Sequence, residues 1–285
     1  MQIPKFLACV LTFPVLIGGS HAQGNAHDIG MDIIGQTPPG LTPELFAPGI
    51  VSTDNLEIEG VFAPGMAEFY FVRQVLGDVP KTLSYQYKNG EWQESIVGPR
   101  AGEVFISVDG QTMYLGNEYR ERTETGWSEP KSLGAPYDTI PVMRLTASAD
   151  GTFVFDERHE VGTIRYSRLV DGERQAPQAF SEEINSGTYT AHPFIAPDES
   201  YLIWDSERED GYGDSDLYIS FRQDDGSWGP AINMGEDINT EFEDAYGTVT
   251  PDGKYFFFHT IDLSEPKANI FWVDAQIIEN LRQAQ

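Results

Sequence analysis

The chain has 285 residues, 40% of them apolar, with 28 Gly, 17 Phe, 13 Tyr and 5 Trp, a composition that builds a packed core and excludes intrinsic disorder. Its 45 acidic residues outnumber 18 basic ones, for a net charge of −27. Nothing offsets phosphate repulsion, so nucleic acid and anionic membrane surfaces are excluded as partners.

The chain opens on a basic stretch, Met1–Lys5, an apolar run, Phe6–Gly19, and a small-x-small ending, Ser20-His21-Ala22. This pattern predicts an export leader over residues 1–22, cleaved before Gln23, and hence a periplasmic or secreted protein. Cys9, the only cysteine, lies within the leader, so the mature chain has no disulfide, thiolate metal site or cysteine nucleophile. No later apolar stretch approaches the length of a membrane span, and no membrane insertion is expected. Residues 23–39 read as a linker and 40–285 as one domain.

Within that domain a unit repeats. Five turn segments recur: Ala63-Pro64-Gly65-Met66, Ser107-Val108-Asp109-Gly110, Ser148-Ala149-Asp150-Gly151, Ala196-Pro197-Asp198-Glu199 and Thr250-Pro251-Asp252-Gly253. Their steps are 44, 41, 48 and 54 residues. Pro presets φ at the second position, Asp bonds local backbone at the third, and Gly accepts a left-handed exit at the fourth. Each turn is followed by a run apolar on both faces, such as Phe153-Val154-Phe155 or Tyr255-Phe256-Phe257-Phe258, which predicts strands packed between two layers. Third strands are read at Leu83–Tyr87, Ile164–Ser167, Asp216–Ser220 and Asn269–Val273; the second repeat is too short to place one. Gly-rich segments such as Gly126-Trp127 and Gly226-Ser227-Trp228 then lead into outer strands.

Four-stranded antiparallel units of 40–55 residues that bury both faces pack radially as propeller blades. The last repeat lacks its outer strand and runs into a short amphipathic helix within Asp274–Arg282. The N-terminal segment Glu44–Thr53 resembles Ile232–Thr240 and can supply the missing strand. The expected fold is therefore an all-β propeller of five blades, closed by the N-terminal strand, with six blades as the alternative.

The stretch His192-Pro193-Phe194-Ile195-Ala196-Pro197-Asp198-Glu199, continued by Asp205-Ser206, Gly211-Tyr212-Gly213 and Asp216-Leu217-Tyr218-Ile219-Ser220, resembles the WD-like, Pro-Asp-Gly propeller repeats of bacterial periplasmic proteins. The resemblance is firm over Thr188–Thr260 and loose elsewhere. It extends to the propeller of TolB-type proteins and implies a scaffold for protein contact without required chemistry. The six blades of the familiar member differ from the five read here. Ser107-Val108-Asp109-Gly110 and Ser148-Ala149-Asp150-Gly151 lack the spacing of a sialidase Asp-box.

No nucleophile elbow, zincin helix or phosphate loop occurs. The remaining site signal is positional: the start of each inner strand places Glu59, Glu103, Arg144, His192 and Tyr246 around one mouth of the channel, where Arg144 can fork onto a carboxylate. Arg73, Asn117, Arg158, Arg208 and His259, just past the second strands, are assigned to the same rim. These residues either bind a polar ligand or bond one another and plug the channel. Glu59 and Glu103 are also an acid/base pair in the alternative of a carbohydrate-active hydrolase or lyase. Asp210, Asp214 and Asp216 flank two glycines in a loop and form a possible calcium site; no other cofactor is implied. The leading expectation is a binding or scaffold module for a protein or a glycan.

Overall fold

The computed structural model describes residues 36–265 and 267–284. The expected leader, and the linker up to residue 35, lie outside the described residues. Among the described residues the fold is all-β with one short α-helix, Gln276–Gln283.

Antiparallel meanders succeed one another along the chain, and five are found among the described residues. The first comprises Leu56–Phe62, Glu68–Gln74, Lys81–Lys88 and Glu91–Pro99, and the second Val104–Ile106, Thr112–Leu115, Glu118–Thr123 and Lys131–Ser132. The third comprises Val142–Ala147, Phe153–Glu157, Thr163–Ser167 and Gln178–Ala179, and the fourth Tyr189–Ile195, Tyr201–Glu207, Asp216–Phe221 and Ile232–Asn233. The fifth has three strands of its own, Glu243–Val249, Tyr255–Asp262 and Lys267–Asp274. Its fourth is N-terminal: Glu44 and Leu45 pair antiparallel with Trp272 and Phe271. The second meander's third strand, which the sequence left unplaced, is Glu118–Thr123.

Local chemistry accounts for the hairpins that join first to second strands. The Asp109, Asp198 and Asp252 carboxylates accept from the amides of Gln111, Ser200 and Lys254, and Gly110, Gly151 and Gly253 take φ between 72° and 81°. Hydrophobic side chains then pack between neighbouring meanders. Val61 and Tyr70 of the first meet Val104, Ile106 and Met113 of the second. Val154 and Ile164 of the third meet Ile195, Leu202 and Trp204 of the fourth. Phe46, Phe62 and Phe69 meet Phe257, Ile270 and Trp272, sealing the first meander against the last. A further and larger cluster runs from Phe105 of the second meander through Leu145, Phe194 and Phe256 to Ile278 of the helix, while buried polar side chains gather toward the starts of the inner strands.

Candidate functional site

Four inner strands carry their polar residue three positions before the last, and Glu103 holds the same offset immediately ahead of Val104–Ile106. In four of the five the register shifts there, at Ile58/Val61, Val142/Leu145, Ala191/Phe194 and Ala245/Thr248. These are bulges, which re-aim side chains at the cost of ladder bonds. Glu59, His192 and Tyr246 adopt φ of 63°, 47° and 60°, a left-handed conformation that non-glycine residues hold only when surroundings compel it.

The compelling contacts come from second strands. Asp156 accepts from the amides of Met143 and Arg144 in its own meander and from His192 in the next. Asp205 accepts from the Tyr246 amide, 3.1 Å, and Nδ1 of His259 accepts from the Glu59 amide, 3.3 Å. One rule links third to fourth, fourth to fifth and fifth to first: a second-strand side chain satisfies the bulge of the next meander.

Arg100, which follows the outer strand of the first meander, bridges two carboxylates of this ring. Its Nε donates to Glu59 Oε1 at 2.9 Å, and its Nη2 bonds both that oxygen and Glu103 Oε1, the latter at 3.1 Å. His192 is held between Asp205, 2.9 Å from Nδ1, and Glu103, 3.5 Å from Nε2. Arg144 donates to the carbonyls of His192 and Gly247 and stacks 3.6 Å from the Tyr246 ring centre. The Tyr246 hydroxyl donates to the Val104 carbonyl. Glu59 Oε2, Glu103 Oε2, and Nε and Nη2 of Arg144 are buried without a protein partner.

This crowding separates the titrations. Burial, then the charge of Glu103, pushes Glu59 up to about 7. Burial opposes ionisation of Glu103 as well, but His192 and Arg100 hold it at about 2. Burial and the Glu103 charge raise Asp156 to about 6. Burial works against charge on His192, yet Asp205 and Glu103 carry it well above its ordinary value. Burial, reinforced by the charge of His192, lowers His259 to about 3.

Above the network a cavity of about 700 Å³ opens among Arg100, Glu103, Asn117, Glu118, Arg158 and His192. It opens over the second meander because Gly116 and Asn117 alone join that meander's second and third strands. Gly116 has φ of 69°, and a Cβ there would lie 2.6 Å from the Val142 carbonyl oxygen. Asn117 spans to the carbonyls of Tyr137 and Ile140 and fixes the approach to the third meander.

The structure brings the five channel-mouth residues together and separates the residues assigned to the rim. Glu59, Glu103, Arg144, His192 and Tyr246 converge, but Arg144 and Tyr246 are fully buried beneath the mouth, and Arg144 bonds carbonyls instead of forking onto a carboxylate. Arg158 lines the cavity. Arg73 does not: it pairs with Glu57 at 2.7 Å and donates to the Ile50 carbonyl, pinning the N-terminal crossover. Arg208 lies against the Tyr218 ring, 4.1 Å from its centre. Asp210, Asp214 and Asp216 are not gathered. Asp216 accepts from the Tyr212 and Gly213 amides and from Asn233, while the other two are exposed. Among the described residues no group of three His, Cys, Asp or Glu is placed to hold a metal ion.

Arg100, Asp156 and Asp205 were missed. The two aspartates had a signal, for each ends an apolar second-strand run, as Phe153-Val154-Phe155-Asp156 and Ile203-Trp204-Asp205, at the position His259 holds in the fifth repeat. Arg100 had none.

No family model and no curated protein sequence matches the chain. Among solved structures, the α-L-arabinofuranosidase of Lactobacillus brevis superposes with a TM-score of 0.50 at 11% identity, over 79% of this chain and 91% of that one. The endo-arabinase of Bacteroides thetaiotaomicron gives 0.47 at 14%, over 81% and 97%. TolB of Acinetobacter baumannii gives 0.47 at 11% over 78% of this chain, which spans 57% of that protein's length. At 11% identity the likeness to the arabinofuranosidase is one of fold alone, that of an all-β propeller scaffold. Among the described residues no helix is long and apolar enough to cross a membrane.

Proposed function

We propose that the chain is an exported five-bladed β-propeller, closed by its N-terminal strand, whose mouth captures an acidic glycan without turning it over. Ring closure rests on the N-terminal pairing with Trp272 and Phe271 and on the bond from the Glu59 amide to His259. The observation that carries the binding reading is the arrangement of charge at the mouth. Glu59, 2% exposed, lies outside the cavity lining, and Glu103, 4% exposed, is engaged by Arg100 and His192, so the groups that line the cavity are Arg100, Arg158 and His192 together with the paired Glu103 and one exposed carboxylate, Glu118. A guanidinium fork matches a carboxylate in geometry and charge, so a uronate-bearing oligosaccharide suits this cavity better than a neutral one.

Titration calorimetry with oligogalacturonate and a neutral oligosaccharide of equal length tests the reading. The acidic ligand binds, and Arg158→Ala weakens it about tenfold, the order of one charge-assisted bond. Equal affinity for both ligands, or indifference to Arg158→Ala, overturns it.

The separated titrations of Glu59 and Glu103 favour one second reading, a glycoside hydrolase with Glu59 as acid. Against it stands their burial; their common Arg100 nitrogen brings them closer than the roughly 6.5–9.5 Å of an inverting pair and confines the reading to a retaining mechanism. That reading requires turnover that Glu59→Gln and Glu103→Gln abolish, and it fails if the wild type releases no sugar.

A further inference from the structure

The opposite end of the channel differs in character. There the first-to-second-strand turns surround an apolar well of about 580 Å³, walled by Phe62, Phe105, Ile106, Phe194 and Val249, with Pro64, Val108, Pro197 and Pro251 at its lip. All five meanders contribute to its lining. The same turns carry Asp109, Asp150, Asp198 and Asp252. Bonds from Ser107 and Gln111 lower the Asp109 pKa; burial works against ionisation of Asp198, but its bonds to Ser200 lower it. Lys254 lies 3.9 Å from Asp252, Arg282 is near enough to favour the charged form of Asp198, Arg222 pairs with the neighbouring Glu199, and Arg122 and Arg174 donate to the Gly110 and Gly151 carbonyls of the same turns.

From this pairing of apolar well and acidic collar we infer a second binding site, for a basic polypeptide segment that inserts one or two apolar side chains while flanking Lys or Arg residues meet the turn aspartates. The volume lies within the range of ligand pockets. The charge distribution selects the occupant: the four carboxylates stand on turns of four different meanders around the well. A single-headed amphiphile reaches one of them, whereas a peptide can place cations on several sides of an apolar anchor. The site is independent of the arginine-lined mouth at the other end.

The probe is a fluorescein-labelled Lys-Lys-Leu-Phe-Lys-Arg peptide, with binding read by anisotropy at low and moderate salt. Wild type binds it, more weakly as salt screens the collar. Val108→Lys, at a lip position 41% exposed, reduces affinity tenfold or more with the far-UV spectrum unchanged. The triple variant Asp109→Asn, Asp150→Asn, Asp198→Asn, which keeps side chains able to accept the turn bonds, reduces affinity at least as much and flattens the salt dependence. Arg158→Ala has no effect. The inference is overturned if wild type does not bind, if a peptide with Glu at the basic positions binds equally well, if Val108→Lys leaves affinity intact, or if dodecylammonium displaces the peptide at equal or lower concentration.

Discussion

Truncating Phe46 measures how far the propeller depends on its N-terminal strand. The ladder there is short, two residues paired with Trp272 and Phe271, and both are exposed. The Phe46 side chain, in contrast, is 0% exposed. Its ring centre lies 4.9 Å from those of Phe69 and Phe257 and 5.3 Å from that of Trp272, so it bridges the first meander and the last. Phe46→Ala removes the bridging ring and leaves a cavity in a rigid aromatic cluster, a loss of about 3–5 kcal/mol. Against the roughly 5–15 kcal/mol by which domains are stable, that is a large share. Urea unfolding, followed by circular dichroism and by tryptophan emission, to which Trp272 contributes, reads the change directly. Phe46→Leu, which refills part of the volume, falls between wild type and Phe46→Ala. A loss below about 0.5 kcal/mol for Phe46→Ala, typical of an exposed site, refutes the claim that this residue seals the ring.

Further predictions concern the channel and its supports. His259 is depressed from 6.5 to about 3, so the folded state takes up its proton less readily than the unfolded chain. Its contribution is complete above about pH 6.5 and is lost as pH falls toward 3. In urea titrations at pH 7 and pH 4, His259→Gln, whose amide oxygen can accept the Glu59 N–H, therefore narrows the gap in midpoint; an unchanged gap rejects the assignment. Glu59 acts in the opposite sense: raised to about 7, it favours the fold below about pH 4.5 and loses that contribution as pH rises through 7. Gly247→Ala places a Cβ 2.7 Å from Ile203 and 3.0 Å from Phe256, overpacking that costs about 1–3 kcal/mol, whereas Gly40→Ala, with nothing within 4 Å, is neutral in the same assay. Asp216→Asn weakens a carboxylate that holds two amides and Asn233; it lowers the thermal midpoint, and millimolar calcium shifts neither protein.

The architecture was legible because its determinants are local. Pro, Asp and Gly at successive turn positions set the hairpins, the two-faced apolar runs after them demanded packing on both sides, and the spacing of the turns bounded the number of units. The likeness of Glu44–Thr53 to Ile232–Thr240 even placed the missing strand, and the two segments share a device: Thr53 and Thr240 each bond, through amide and hydroxyl, a carboxylate four residues on. The mouth was legible only in part. Counting back from the turns found the five converging inner-strand residues, since strand period and turn position determine where each points. Their burial, their partners and the identity of the exposed groups depend on neighbours distant in the chain. Arg100 lies 41 residues from Glu59, and His259 lies 200 from it. Whether an arginine near a strand end faces the cavity, as Arg158 does, or binds a crossover, as Arg73 does, is decided by loop length and by the carboxylate it meets. Local sequence thus determined the strands and turns, and tertiary packing decided which charges neutralise one another and which remain open to a ligand.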